Sequence, residues 1–223
     1  MKMKIRIRSL IPVCMALAVH TASAQVQPVD YVDMFMGNRG ESNCVIGPQL
    51  PHGSVNPSPQ TPGGGNDGYD PLQPIRGFGQ LHVSGTGWGR YGQILLSPQV
   101  GFSADEQGHD SPKSGESALP YYYAVTLDRY GIRTELAPTH NAAIYRFSFP
   151  AAEDANILLD IAHNIPQHIK PEIGGRFLGG AISYDPETGI IGGGGGGAGG
   201  GGGGGARTTQ LVARPPPAPR AAR

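Results

Sequence analysis

Outside its first 24 residues this chain never sustains a 3.6-residue hydrophobic period, which excludes most helical folds. Short alternating runs recur instead, each closed by glycine or proline. Residues 121–128 alternate, Arg129-Tyr130-Gly131 turns, and residues 132–137 alternate again, the pattern of a β-hairpin. Residues 141–149 and 156–161 repeat the theme, with Pro138 and Pro150 as breaks. Residues 177–184 predict one more strand, followed by an Asp185-Pro186-Glu187-Thr188-Gly189 turn. Many short strands joined by Gly/Pro turns predict an all-β fold, an antiparallel β-sandwich. The stretch 37–70 is loop-rich, and exposed loops of that kind often carry function.

The most chemically loaded segment is residues 77–92, which holds the single tryptophan, Trp88, among closely spaced glycines. Glycine serves where backbone turns through positive φ or approaches something closely. Trp and His among such glycines suggest a polar surface with one flat apolar face, as sugars require. The plainer reading is a glycine-rich strand connection whose Trp fills a core. Residues 87–92 also fit G-x-G-x-x-G, but Gln93-Ile94-Leu95-Leu96-Ser97-Pro98 follows as a strand, not a helix. A nucleotide site of that type needs the helix N-terminus, so this reading is rejected.

The two ends differ from the body. Lys2, Lys4, Arg6 and Arg8 precede a short apolar run over 10–19 and an Ala22-Ser23-Ala24 cleavage site. Residues 1–24 therefore read as a signal peptide, too short to span a bilayer, and predict export to a periplasm or the exterior. Cys14 leaves with it, and the lone Cys44 is expected to act as a small buried hydrophobe. Beyond residue 191 come thirteen glycines interrupted only by Ala198, then a Pro/Arg/Ala-rich end. Residues 192–223 are expected to be disordered, and their abrupt composition suggests a frameshift product. Setting aside four basic residues at each end leaves nine Lys/Arg against seventeen Asp/Glu, a balance of −8. An acidic exported domain is a poor nucleic-acid binder.

Several motifs in order resemble one family. Val29-Asp30-Tyr31-Val32-Asp33-Met34-Phe35-Met36-Gly37 is similar to the opening of glycoside hydrolase family 92. So is Gly47-Pro48-Gln49-Leu50-Pro51-His52-Gly53-Ser54-Val55-Asn56-Pro57-Ser58-Pro59, followed by Gly68-Tyr69 and the Gly77 to Gly87 segment. Pro120-Tyr121-Tyr122, Val125-Thr126-Leu127 and Tyr130-Gly131-Ile132 resemble the family's central hairpin, and Ala155 to Asp160 its next core strand. The resemblance implies a calcium-dependent, inverting exo-α-mannosidase whose N-terminal β-sandwich, similar to galactose mutarotase-like domains, packs on an (α/α)6 barrel. Inversion needs a carboxylic acid and a second carboxylate with room for water. In the family those groups and the calcium ligands come from the barrel. Residues 25–191 match only the sandwich, incomplete at its C-terminal end. The expectation is no catalytic residue and no bound Ca2+ in this chain, and no hydrolysis by it alone. Mannose-containing glycans and the missing C-terminal domain are the expected partners. The alternative is a stand-alone carbohydrate-binding domain. A glycine-rich structural protein would rest on the tail alone.

Within this resemblance Trp88 is the leading candidate for sugar contact. His82 and Ser84 share a face if extended, and serve either sugar contact or loop stabilisation. Arg90 is a candidate for hydroxyl contact or a surface charge, and Asp67 a further sugar contact. Asp67 and Asp70 do not fit the spacing of a calcium loop, and Asp70 before Pro71 reads as a turn former. His163 and His168 read as loop histidines, and His52 as a turn or pocket residue. Glu41, Asp105, Glu106 and Glu116 are expected to solvate the surface.

Overall fold

The computed structural model describes residues 26–39, 44–63, 67–82, 92, 94–152, 154–163, 165, 176–198 and 207–213. Two compact units divide it, residues 1–31 and 32–223. In the first, a 3-10 turn spans Pro28–Tyr31. Asp30 anchors it by accepting the Gln27 N–H at 2.8 Å.

The second unit contains eleven described strands and one further 3-10 turn, Gln107–His109. Strands β1 (Ser58–Gln60), β2 (Gly77–Gly79), β3 (Leu95–Val100) and β8 (Ala155–Asp160) form one antiparallel sheet in that order. Strands β4 (Lys113–Leu119), β5 (Tyr122–Leu127), β6 (Ile132–Pro138) and β7 (Ala143–Ser148) form a second, consecutive meander. The expected hairpin is β5–β6, in which Tyr123, Val125 and Leu127 face Leu136, Thr134 and Ile132 across the ladder. All six of these residues are buried, so the period-2 pattern read in the sequence is the inward face.

The two sheets meet through Phe78 of β2 and Phe147 of β7, whose ring centroids lie 6.1 Å apart. Ile46, Tyr69 and Ile75 complete this core from the connecting segments. The result is the expected antiparallel β-sandwich. A two-bond bridge between Ile75 and Ser111, 2.8 Å each way, fastens the connection that leads into β2 to the one that leads into β4.

Residues 192–198 of the glycine run depart from expectation. Strand β9 (Arg176–Asp185) pairs with β10 (Ile190–Ala198), which pairs with β11 (Arg207–Ala213). Disorder from residue 192 was expected because glycine brings no apolar side chain, yet its N–H and C=O groups suffice for a ladder flanked on both sides. Cys44 is a second departure, being exposed rather than buried. Among the described residues no helix is long and apolar enough to cross a membrane.

Candidate functional site

Strand β1 is buried throughout and yet polar, with Gln60 only 2% exposed. A buried amide must find partners. The Gln60 Nε2 amide donates to the Gly92 carbonyl at 3.3 Å and reaches His82 Nε2 at 3.2 Å. Its Oε1 lies 2.5 Å from His163 Nε2. Because a carbonyl only accepts, the Gly92 bond fixes which end of the amide carries hydrogens. His82 Nε2 therefore accepts, and its Nδ1–H donates to the Asn56 carbonyl at 3.0 Å. His163 Nε2–H donates to Gln60. The chain of bonds has one direction and keeps the His82 ring neutral.

The backbone around His82 is equally constrained. Asn56 receives the His82 N–H on Oδ1 at 2.7 Å and returns Nδ2 to the His82 carbonyl at 3.1 Å. Gly92 N–H donates to the Leu81 carbonyl at 2.8 Å, which pinches the chain shut at residues 81 and 92. Glycine is needed at 92. Its φ is +70°, and a Cβ there would strike Ile165 and lie 2.9 Å from Gln60 Nε2. Ile165 also fills the space beside Gly68, so two distant segments close on one side chain.

The network continues outward from His163, whose Nδ1 lies 3.6 Å from Glu106 Oε1. Glu106 accepts from Arg76 Nη1 at 3.1 Å, and Arg76 grips Asp110 with Nε and Nη2 at 2.9 and 3.0 Å. The Asp110 carboxylate holds the guanidinium's pKa above its ordinary value against the cost of burial. Arg76 is 6% exposed, and such a bidentate grip is how a buried guanidinium is satisfied.

Burial pushes the His82 pKa down to about 4, only partly offset by the Asn56 carbonyl. A depressed folded-state pKa gives stability that is complete above about 6.5 and lost as pH falls through about 4. We expect the urea midpoint to fall between those values, by about 3 kcal/mol of stability at most. His82→Gln, which has no titrating ring, should flatten that slope; an unchanged slope would place the titration elsewhere.

Of the five candidate sugar contacts read in the sequence, His82 and Asp67 are described, and both are buried, at 8% and 1% exposure. Gly68, next to Asp67, borders both Ile165 and Gln60, the partner of His82. Trp88, Ser84 and Arg90 lie outside the described residues, as do Glu41 and His168. Asp70 forms the expected turn, taking the Leu72 N–H at 2.8 Å. His52 sits at φ 58° in the turn closed by the Gly53 N–H on the Leu50 carbonyl.

Two expectations are corrected. Glu106 is held in the Arg76 pair rather than given to solvent. Glu116 is 14% exposed and lies among Tyr69, Lys113 and Tyr123. Asp105 is exposed, as expected, and its carboxylate also accepts the Gly108 N–H at 2.8 Å, which fixes the 3-10 turn. Sequence reading missed Gln60 and Asn56 and took His163 for a loop histidine, whereas it is 3% exposed; for Gln60, a polar residue in a strand with no apolar alternation was the available signal.

Glu106, Asp160 and His163 bring one ligand atom each within 4.8 Å of one another. This set does not fit calcium, which wants six or more oxygens. It offers two carboxylates and an imidazole; Arg76 engages Glu106, and the backbone of Ala162 and His163 engages Asp160. What the arrangement does is hold the pinched base at residues 81 and 92 against β1 and the turn after β8.

Comparison with known proteins adds an independent finding. The model of the glycosyl hydrolase family 92 N-terminal domain matches residues 31–213, running past residue 191 and through the glycine run. An uncharacterized secreted glycosidase of Arthroderma benhamiae is 30% identical over 133 residues, 54% of this chain and 17% of that protein. A family GH92 α-mannosidase from Bacteroides thetaiotaomicron, solved with mannoimidazole, superposes with a TM-score of 0.72 at 26% identity. That match covers 83% of this chain and 25% of the mannosidase. The GH92 family glycosyl hydrolase ccman5 shares the fold, with a TM-score of 0.64 at 24% identity over 77% of this chain and 24% of that one. The chain thus spans about a quarter of the length of these solved relatives.

Proposed function

Because the chain belongs to glycosyl hydrolase family 92, whose N-terminal domain it carries, we propose that it forms the glycan-facing rim of an exported α-mannosidase. Residues 1–24 direct export, and the sandwich domain presents residues 82–91 to mannose-containing glycans. Trp88 covers the apolar face of a sugar, with Ser84 and Arg90 at its hydroxyls. His82, with both ring nitrogens engaged inward, positions this segment rather than touching sugar. The carboxylates that cleave the glycosidic bond, and the calcium typical of the family, belong to the part of full-length relatives that this chain does not overlap. Alone it binds and does not hydrolyse.

The observation that supports the reading is the pinched base, where Leu81 and Gly92 meet at 2.8 Å above the buried Gln60–His82 pair. A clamp of this kind supplies the preorganisation a sugar-binding segment needs.

The test uses the whole 223-residue chain. Methyl α-mannoside should shift the emission of the single tryptophan, and 4-nitrophenyl α-mannoside should not be turned over, with or without calcium. Calorimetry on Trp88→Ala should show affinity lower by about tenfold or more. Turnover of the nitrophenyl substrate, or undiminished binding by Trp88→Ala, would overturn the reading.

A further inference from the structure

At the far end of the β3–β8 pair a cleft of about 480 Å³ opens between two loops. Its walls are Gln99, Phe102 and Ser103 on one side and Arg129, Tyr130 and Pro150 on the other. The pair runs from Leu95↔Asp160 beside the pinched base to Val100↔Ala155 beside the cleft. Five residue steps at about 3.4 Å separate the two ends by roughly 17 Å.

Phe102 is 69% exposed, which is costly for a phenylalanine unless something covers it. The loop that carries it is tightly determined. Gln99, 1% exposed, donates Nε2 to the Ser103 carbonyl at 3.0 Å and accepts the Ser103 N–H on Oε1 at 2.8 Å. Gly101 donates to the Asp154 carbonyl at 3.1 Å, and its own carbonyl takes Asn156 Nδ2 at 3.3 Å. A fully buried side chain is thus spent on holding an aromatic outward. The opposite wall is equally fixed. Tyr130 Oη donates to the His109 carbonyl at 3.3 Å, and Arg129 Nη1 to the Asp110 carbonyl at 3.2 Å. The Arg129 guanidinium lies over the Tyr130 ring, 5.5 Å from its centroid.

The cleft's charges select the ligand class. Among the described residues one cation, Arg129, stands in the wall, while the carboxylates of Asp154 and Asp105 lie beside Gly101 and Gly108, 3.6 and 3.2 Å from where a Cβ at each would sit. An anion would meet the carboxylates, and a cation the guanidinium, with its own sign. A neutral polyol with one C–H face would use the aromatic surface, the guanidinium donors and the carboxylate acceptors together. We propose that this cleft is a second carbohydrate site, taking one neutral pyranose residue independently of residues 82–91. The geometry stands on its own; only the choice of a mannoside as probe rests on the proposed function.

The experiment is a 1H–15N NMR titration of the whole chain with methyl α-mannoside. The amides of Phe102, Ser103, Arg129 and Tyr130 should shift saturably. Phe102→Ala, an exposed position that leaves the fold intact, should weaken that response about fivefold or more and leave the Trp88 indole signal unchanged. Arg129→Ala should weaken it as well. Trp88→Ala should leave the cleft shifts intact, so the two sites fail separately. The proposal falls if the cleft amides stay still, if Phe102→Ala binds normally, or if Trp88→Ala abolishes the cleft response. It falls too if a proline-rich peptide, and no sugar, moves those amides.

Discussion

Replacing Gly47 by alanine is expected to cost about 3 kcal/mol or more, a large share of a typical domain's 5–15 kcal/mol. A Cβ at Gly47 would press into the Pro57 carbonyl oxygen, with Pro57 C and Ser58 Cα at 2.7 Å. These are backbone atoms at the entrance to β1, so no rotamer change relieves the clash. Moving them displaces Ser58 and Gln60, both buried, and with them the bonds that fix His82. Gly63→Ala is the comparison, because there a Cβ meets nothing within 4 Å although φ is +66°. That change carries only the left-handed backbone term of about 1 kcal/mol. Urea unfolding of both variants decides the matter; equal losses would show that close approach at Gly47 is not what matters.

Glu116→Ala is expected to be as damaging, by about 3–5 kcal/mol, because it strands a largely buried cation. Glu116 accepts from Tyr69 Oη at 2.7 Å and Tyr123 Oη at 2.5 Å, and pairs with Lys113 Nζ at 3.1 Å. Lys113 is 10% exposed, and burial pushes its pKa below the ordinary value while Glu116 pulls it back. Burial likewise raises both tyrosines, with Glu116 adding to it, so they remain protonated donors. Glu116→Gln keeps an acceptor for the hydroxyls and should lose less. The pair Lys113→Met with Glu116→Leu should recover part of the loss, since it removes the stranded charge and its desolvation cost but leaves the Tyr69 and Tyr123 hydroxyls without this acceptor. A double variant no better than Glu116→Ala, in thermal or urea unfolding, would refute this account.

What the sequence disclosed was set by distance along the chain. The β5–β6 hairpin was legible because its alternation and its Arg129-Tyr130-Gly131 turn are local, and tertiary contacts merely confirmed the face. Strands β7 and β8 were legible for the same reason. Strand β4 was not, since Lys113-Ser-Gly-Glu-Ser-Ala-Leu119 has no alternation and carries an irregularity between Ser114 and Ser117. Its Glu116 was therefore misjudged as a solvated charge. The site shows the same limit. His82 and the glycines around it stood out in one short segment, but the amide that orients the ring is Gln60, and its other partner is His163. Those two are 103 residues apart, and no local pattern encodes such a meeting. The glycine run misled in the opposite direction, since composition speaks of side chains while ladders are made of backbone.

The sheet order carries a consequence for the time course of folding. The β4–β7 meander pairs neighbours only, whereas β8 must travel back past all four of those strands to lie against β3. Local pairing closes fast and long loops close late, so the meander sets first and the β3–β8 seam last. Both ends proposed to face sugar hang on that last seam: His163 and Ile165 follow β8 at one end, and Asp154 precedes it, with Asn156 at its start, at the other. If the chain is exported and binds glycans as proposed, it stays blind to them until residues 154–165 have come through.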